Sequence, residues 1–122
     1  MKGFIITAII FVLLLTAIFI NIFFVEKTTQ NMKNQVNSLK PFPCTENTET
    51  INNLLSDWQK DSILLGLSVS YNNIEELTNI IDSLKAANEA QNFDQFKIHI
   101  ELLLNAIEEI GRLEKFSIKN IL

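Results

Sequence analysis

Few side chains in this 122-residue chain are of the kind that does chemistry, and their spacing keeps them apart. His99 is the only histidine and Cys44 the only cysteine. A zinc-type metal site needs several converging ligands. One helical turn from His99 stand Gln95 and Leu103, and neither is a usual ligand. His99 therefore reads as a seam-edge or surface side chain, with sensing near neutral pH as its one alternative. Cys44 lies in Pro41-Phe42-Pro43-Cys44, and a single thiol forms neither an internal disulfide nor a multi-thiolate metal site. It reads as an unpaired loop thiol, or as an intermolecular disulfide between two copies. The acidic pairs Glu75/Glu76 and Glu108/Glu109 are adjacent, so on a helix they point about 100° apart and do not converge as an acid–base dyad would. Asp57 and Asp61 lie one turn apart near Trp58, where a weak cation contact competes with a plain solvated face, and the solvated face is expected. The three glycines, Gly3, Gly66 and Gly111, make no phosphate-binding loop. No catalytic residue, cofactor-binding residue or metal ligand is assigned, and the chain is expected not to be an enzyme.

Trp58 is open to two readings. On the apolar face of a helix it is a large core side chain whose indole N–H needs a partner. On a surface it is the residue type that anchors binding hot spots, which makes it the candidate partner contact. The core reading is preferred.

The elements around these residues start with a long apolar segment. From Phe4 to Val25 the chain carries no charge, and only Thr7, Thr16 and Asn21 are polar. As a helix this run is about 33 Å long, enough to cross a hydrocarbon core of about 30 Å. Met1, Lys2 and Gly3 supply the basic start of a secretory signal, but the run is too long and ends in Phe23-Phe24-Val25-Glu26 without a small-residue cleavage site. Residues 1–25 are read as an uncleaved signal anchor in the lipid bilayer. The Lys and Arg count on the two flanks is nearly balanced. A short basic N-terminus ahead of a long apolar helix normally stays in the cytoplasm, so the body is expected outside it.

The remainder is acidic. The whole chain has a net charge of −4, and setting Lys2 aside leaves the body at −5. The acids are dispersed, which suits a solvated surface. Arg112 is the only arginine and no basic stripe exists, so nucleic acid is not an expected partner.

Residues 26–44 read as a juxtamembrane stalk and proline linker. Met32, Val36 and Leu39 give a weak amphipathic stripe, and Pro41 and Pro43 end the helix. Residues 45–122 read as a helical bundle domain. Its first helix starts near Thr45 or Thr48, with Thr48 as a possible cap. Ile51, Leu55, Trp58, Leu65 and Val69 form its face, widened by Leu54, Ile63, Leu64 and Leu67, and a turn or kink is expected between 67 and 72. The next helix repeats Ile74, Leu77, Ile81 and Leu84, with Asn88 next in phase. The last is capped by Asn92 and repeats Phe96, Ile100, Leu103, Ile107 and Ile110. Gly111 is a possible early end, and the apolar tail from Phe116 to Leu122 is expected to pack back on the bundle. The fold class is all-α: a transmembrane helix, a stalk helix, then a small antiparallel three-helix bundle.

Lys2-Gly3-Phe4 ahead of an apolar helix also resembles a type IV prepilin. That family places a Glu five residues into the mature chain, where Ala8 stands here, and a β-sheet after the helix, for which no alternation is present. A better resemblance rests on the Lys2-Gly3-Phe4 start, the anchor helix, Trp58 early in the body and the closing Ser117-Ile118-Lys119-Asn120-Ile121-Leu122. Together these resemble an uncharacterised family of short single-pass membrane proteins from Gram-positive, spore-forming bacteria. Members usually carry a His in the segment matching Ser70-Tyr71-Asn72-Asn73. Here Tyr71 or Asn72 stands instead, so no His-dependent role carries over. The resemblance implies a bacterial single-pass protein and no activity. The function expected is a membrane-anchored helical interaction module, accessory to a multi-spanning membrane protein or acting as a homo-oligomer. The alternative is a helical small-ligand sensor that signals through a partner.

Overall fold

The structure, a computed structural model, describes residues 1–65, 69 and 71–121, with side chains described as far as Arg112. Among them the chain forms four helices and no strand: α1 (Lys2–Asn37), α2 (Glu46–Leu65), α3 (Tyr71–Glu89) and α4 (Phe93–Ile121). The first is long and apolar enough to cross a membrane.

Cross-helix bonds fix the directions. Asn47 bonds Asn88, and Trp58 bonds Thr78, so residue numbers rise along α2 as they fall along α3. Lys40 pairs with Glu46 and Gln35 bonds Asp57, which sets α2 antiparallel to α1. Each helix packs on two neighbours, α1 on α2, α2 on α3, α3 on α4 and α4 back on α1. The result is a ring of four with one shared core.

That arrangement corrects the expectation of a stalk leading to three helices. The apolar run and the stretch expected to be a stalk are one unbroken helix, and residues 26–37 belong to the bundle. Val25, Thr28, Met32 and Val36 recur at three, four and four, and all four are buried, the three apolar ones in the common core. Leu39 packs against it just past the helix end. A stripe this narrow looks weak beside polar neighbours, but burying each such side chain contributes about 1.5–3 kcal/mol. The apolar half, by contrast, is bare: from Phe4 to Leu14 and at Phe19, Ile20 and Phe23 large hydrophobic side chains face outward.

The other seams are close to the pattern read from sequence. Ile51, Leu54, Trp58 and Leu65 of α2, Leu77, Ile81 and Leu84 of α3, and Phe96, Leu103, Ile107 and Ile110 of α4 are buried. Ile63 and Leu64, expected to widen the α2 face, point outward. The helix is the cause: they lie between Trp58 and Leu65 in number but about 140° and 120° away from Trp58 in angle. The turn expected between 67 and 72 falls partly on undescribed residues, although α3 already begins at Tyr71. Gly111 does not end α4, which runs on to Ile121. The packing expected of residues 116–122 lies outside the described side chains.

The α3–α4 turn is built locally. Gln91 adopts φ 53, and Asn92 N–H donates to Ala87 O while Gln91 N–H donates to Asn88 O. This is the Schellman arrangement, with Gln91 where glycine is commonest. Asn92 then caps α4 as expected, its Oδ1 accepting from Gln95 N–H at 3.2 Å.

Candidate functional site

The residues singled out for chemistry are dispersed by this fold. Trp58 is only 1% exposed, enclosed between α2 and α3. Its Nε1–H donates to Thr78 Oγ1 at 2.8 Å, and that hydroxyl donates to Ile74 O at 2.9 Å. A side chain enclosed and bonded in this way presents no surface, so the partner-contact reading of Trp58 does not stand.

His99 sits half-exposed on α4 with Nδ1 2.7 Å from Gln95 O. A carbonyl oxygen only accepts, so Nδ1 carries a proton in this contact. Glu75 and Glu76 share a shallow depression with His99. Among the described residues, no three His, Cys, Asp or Glu side chains are placed to hold a metal ion. Glu108 pairs across to Lys33 of α1 at 3.4 Å, while Glu109 pairs along α4 with Arg112, so the two adjacent acids serve separate contacts. Asp57 accepts from Gln35 Nε2 at 2.9 Å. One turn on, the Asp61 carboxyl is raised above the usual carboxylate value by burial first and by the Asp57 charge second, against a lowering from Lys60.

Cys44 is half-buried at the end of the bundle far from the apolar half. What holds that end is a pair of asparagines that composition does not flag. Asn47 is 2% exposed: its Oδ1 accepts from Lys40 N–H at 2.8 Å, and its Nδ2 donates to Phe42 O at 2.9 Å and to Asn88 Oδ1 at 3.4 Å. Asn88 Oδ1 also accepts from Cys44 N–H at 3.0 Å. The proline loop is thus tied to both α2 and α3 by side-chain amides that mimic backbone pairing. The signal was present in sequence, since Asn88 continues the Ile74–Leu84 seam and Asn47 stands one turn before Ile51.

An open groove of ≈ 910 Å³ lies between α1 and α4, where the bare half of α1 enters the bundle. Phe23, Ile107 and Gly111 line it with the polar side chains Lys27, Lys33 and Arg112. A Cβ added at Gly111 would meet nothing within 4 Å, so the groove is open there.

A family model described as Domain of unknown function (DUF4363) matches residues 19–121. The chain belongs to the DUF4363 family. The match takes in the last turns of the apolar run and the entire ring of helices, so the groove, the asparagine pair and Trp58 all lie within the DUF4363 unit. No curated protein and no solved structure matches the chain.

Proposed function

We propose that this DUF4363 protein is a single-pass, membrane-anchored helical interaction module, accessory to another membrane protein, with its N-terminus cytoplasmic and its body on the other side. The observation that carries this reading is the continuity of α1. One 36-residue helix is bare and apolar at its start and part of the bundle core at its end. Such a helix holds the bundle at a fixed height and angle to a bilayer, which suits a protein that presents a surface to a membrane neighbour.

The α1–α4 groove is the surface offered. It opens where the apolar half begins, its floor at Gly111 admits close approach of another helix, and its rim carries both signs of charge. Lys33 and Glu108 are exposed enough that their pairing contributes only about 0–1 kcal/mol, so a partner's charges can replace it cheaply.

The test is crosslinking of a tagged full-length chain in its native membranes, with identification of what is recovered, beside the same experiment on Gly111→Trp. One dominant multi-spanning partner, lost in Gly111→Trp while the bundle stays folded, supports the reading. Recovery of self-linked chains alone replaces the accessory role with a homo-oligomer. A partner captured equally by both chains moves the contact away from the groove.

A further inference from the structure

The end of the bundle nearest the apolar half carries large hydrophobic side chains that the core does not use. Ile63 is 76% exposed, Leu64 54% and Tyr71 74%, and they flank the α2–α3 connection. Among the described residues none buries them, and a few such side chains together are costly to leave in water.

Their height follows from the register. Gln35 of α1 bonds Asp57 of α2, so six residues further along α2 Ile63 lies level with Thr29, and Leu64 with Thr28. Trp58 bonds Thr78, which sets Tyr71 level with Leu65 and hence near Lys27. At about 1.5 Å per residue, these positions stand about 3–6 Å beyond Val25, where the apolar run ends. The headgroup zone of one leaflet is about 5–7 Å deep. All three side chains therefore fall inside it. The types also suit that layer: an amphipathic Tyr belongs at the bilayer surface, with aliphatic neighbours reaching the acyl boundary.

We infer that the α2–α3 end of the bundle, through Ile63, Leu64 and Tyr71, is a second membrane contact that seats the body on the lipid headgroup layer. This rests on the anchor reading above and adds to it a docked orientation: the bundle lies against the bilayer and does not stand off it on a stalk. Lipid is favoured over a protein occupant by continuity, because the three side chains lie at the level where the bare half of α1 leaves the apolar layer. Phe42 and Phe93 are exposed as well, but at the opposite end, where the same geometry offers no bilayer.

The test uses single spin labels on the full-length chain, in a Cys44→Ser background, reconstituted into phosphatidylcholine–phosphatidylglycerol vesicles. Labels are placed at Ile63→Cys, Leu64→Cys, Leu14→Cys within the apolar run, and Phe93→Cys at the far end. Relative accessibility to oxygen and to a water-soluble nickel chelate reports depth. The expected result is Leu14 deep, Phe93 aqueous, and Ile63 and Leu64 between them, with an oxygen-to-nickel ratio several-fold above that of Phe93. Ile63 and Leu64 as aqueous as Phe93, with Leu14 deep, would overturn the seating and leave the anchor intact. Leu14 itself aqueous would overturn the anchor, and the seating with it.

Discussion

Replacing Asn47 by alanine tests the claim that one buried amide holds the far end of the bundle together. The substitution removes the acceptor for Lys40 N–H at 2.8 Å and the donor to Phe42 O at 2.9 Å, and leaves Asn88 with Cys44 N–H alone. Three backbone groups in a partly buried loop lose a partner: Lys40 N–H, Phe42 O and, at a longer 3.5 Å, Lys40 O. Each group left unpaired costs about 1–3 kcal/mol when buried, so partial access to water puts the total at about 2–4 kcal/mol. Trp58 is the only tryptophan and is buried, so its fluorescence follows unfolding without a label. The assay is denaturant unfolding of the full chain in detergent micelles, wild type against Asn47→Ala, Asn88→Ala and the double variant. The double variant should cost less than the sum, since Asn47 and Asn88 share a bond. Asn47→Asp should be worse than Asn47→Ala at neutral pH, because it places a carboxylate against the Phe42 carbonyl and the Asn88 oxygen, and should recover in acid. A loss below about 1 kcal/mol for Asn47→Ala would refute the reasoning, since it would mean that water serves Lys40 and Phe42 equally well.

Met32→Ala should cost about 2–5 kcal/mol in the same unfolding assay, as for a core methionine; a separate stalk would give no change. Thr78→Val leaves the Trp58 indole N–H unpaired and should cost about 1–3 kcal/mol, while Thr78→Ser, which keeps the hydroxyl, should cost clearly less. Asp61 has a raised pKa in the folded chain, so the stability linked to it is complete below its ordinary value of 3.8 and falls as pH rises through the raised value. Asp61→Asn should therefore be more stable than wild type at neutral pH, with the difference vanishing below pH 3.8 in a pH series of unfolding midpoints.

The helical seams were legible because each repeats at three and four over several turns. Leu77, Ile81 and Leu84, or Phe96, Leu103 and Ile107, have only one face to bury. The membership of α1 in the bundle was not legible. Val25 sits at the end of an apolar run and reads as the last anchor residue, while Thr28 interrupts the stripe that leads on to Met32 and Val36. Only the presence of α2 and α4 alongside makes that stripe a core face. The outward placement of Ile63 and Leu64 was likewise hidden, because a face widened by apolar neighbours looks the same in sequence whether it meets another helix or a different surface. The groove between α1 and α4 had no signature at all, since its lining comes from residues that lie about 80 positions apart in the chain.

The unbroken course of α1 makes the molecule a lever. Between Phe4 and Asn37 there is no Pro, Gly or Ser, the residues at which helices sharply kink. The stretch from Val25 to Asn37 is an arm of about 18 Å, so a tilt of about 10° in the apolar half carries its tip, and the proline loop beyond, sideways by about 3 Å. With no hinge to absorb the swing, any tilt of the apolar half becomes a displacement at Pro41–Cys44. The tightly bonded Asn47 and Asn88 make that end move as one piece.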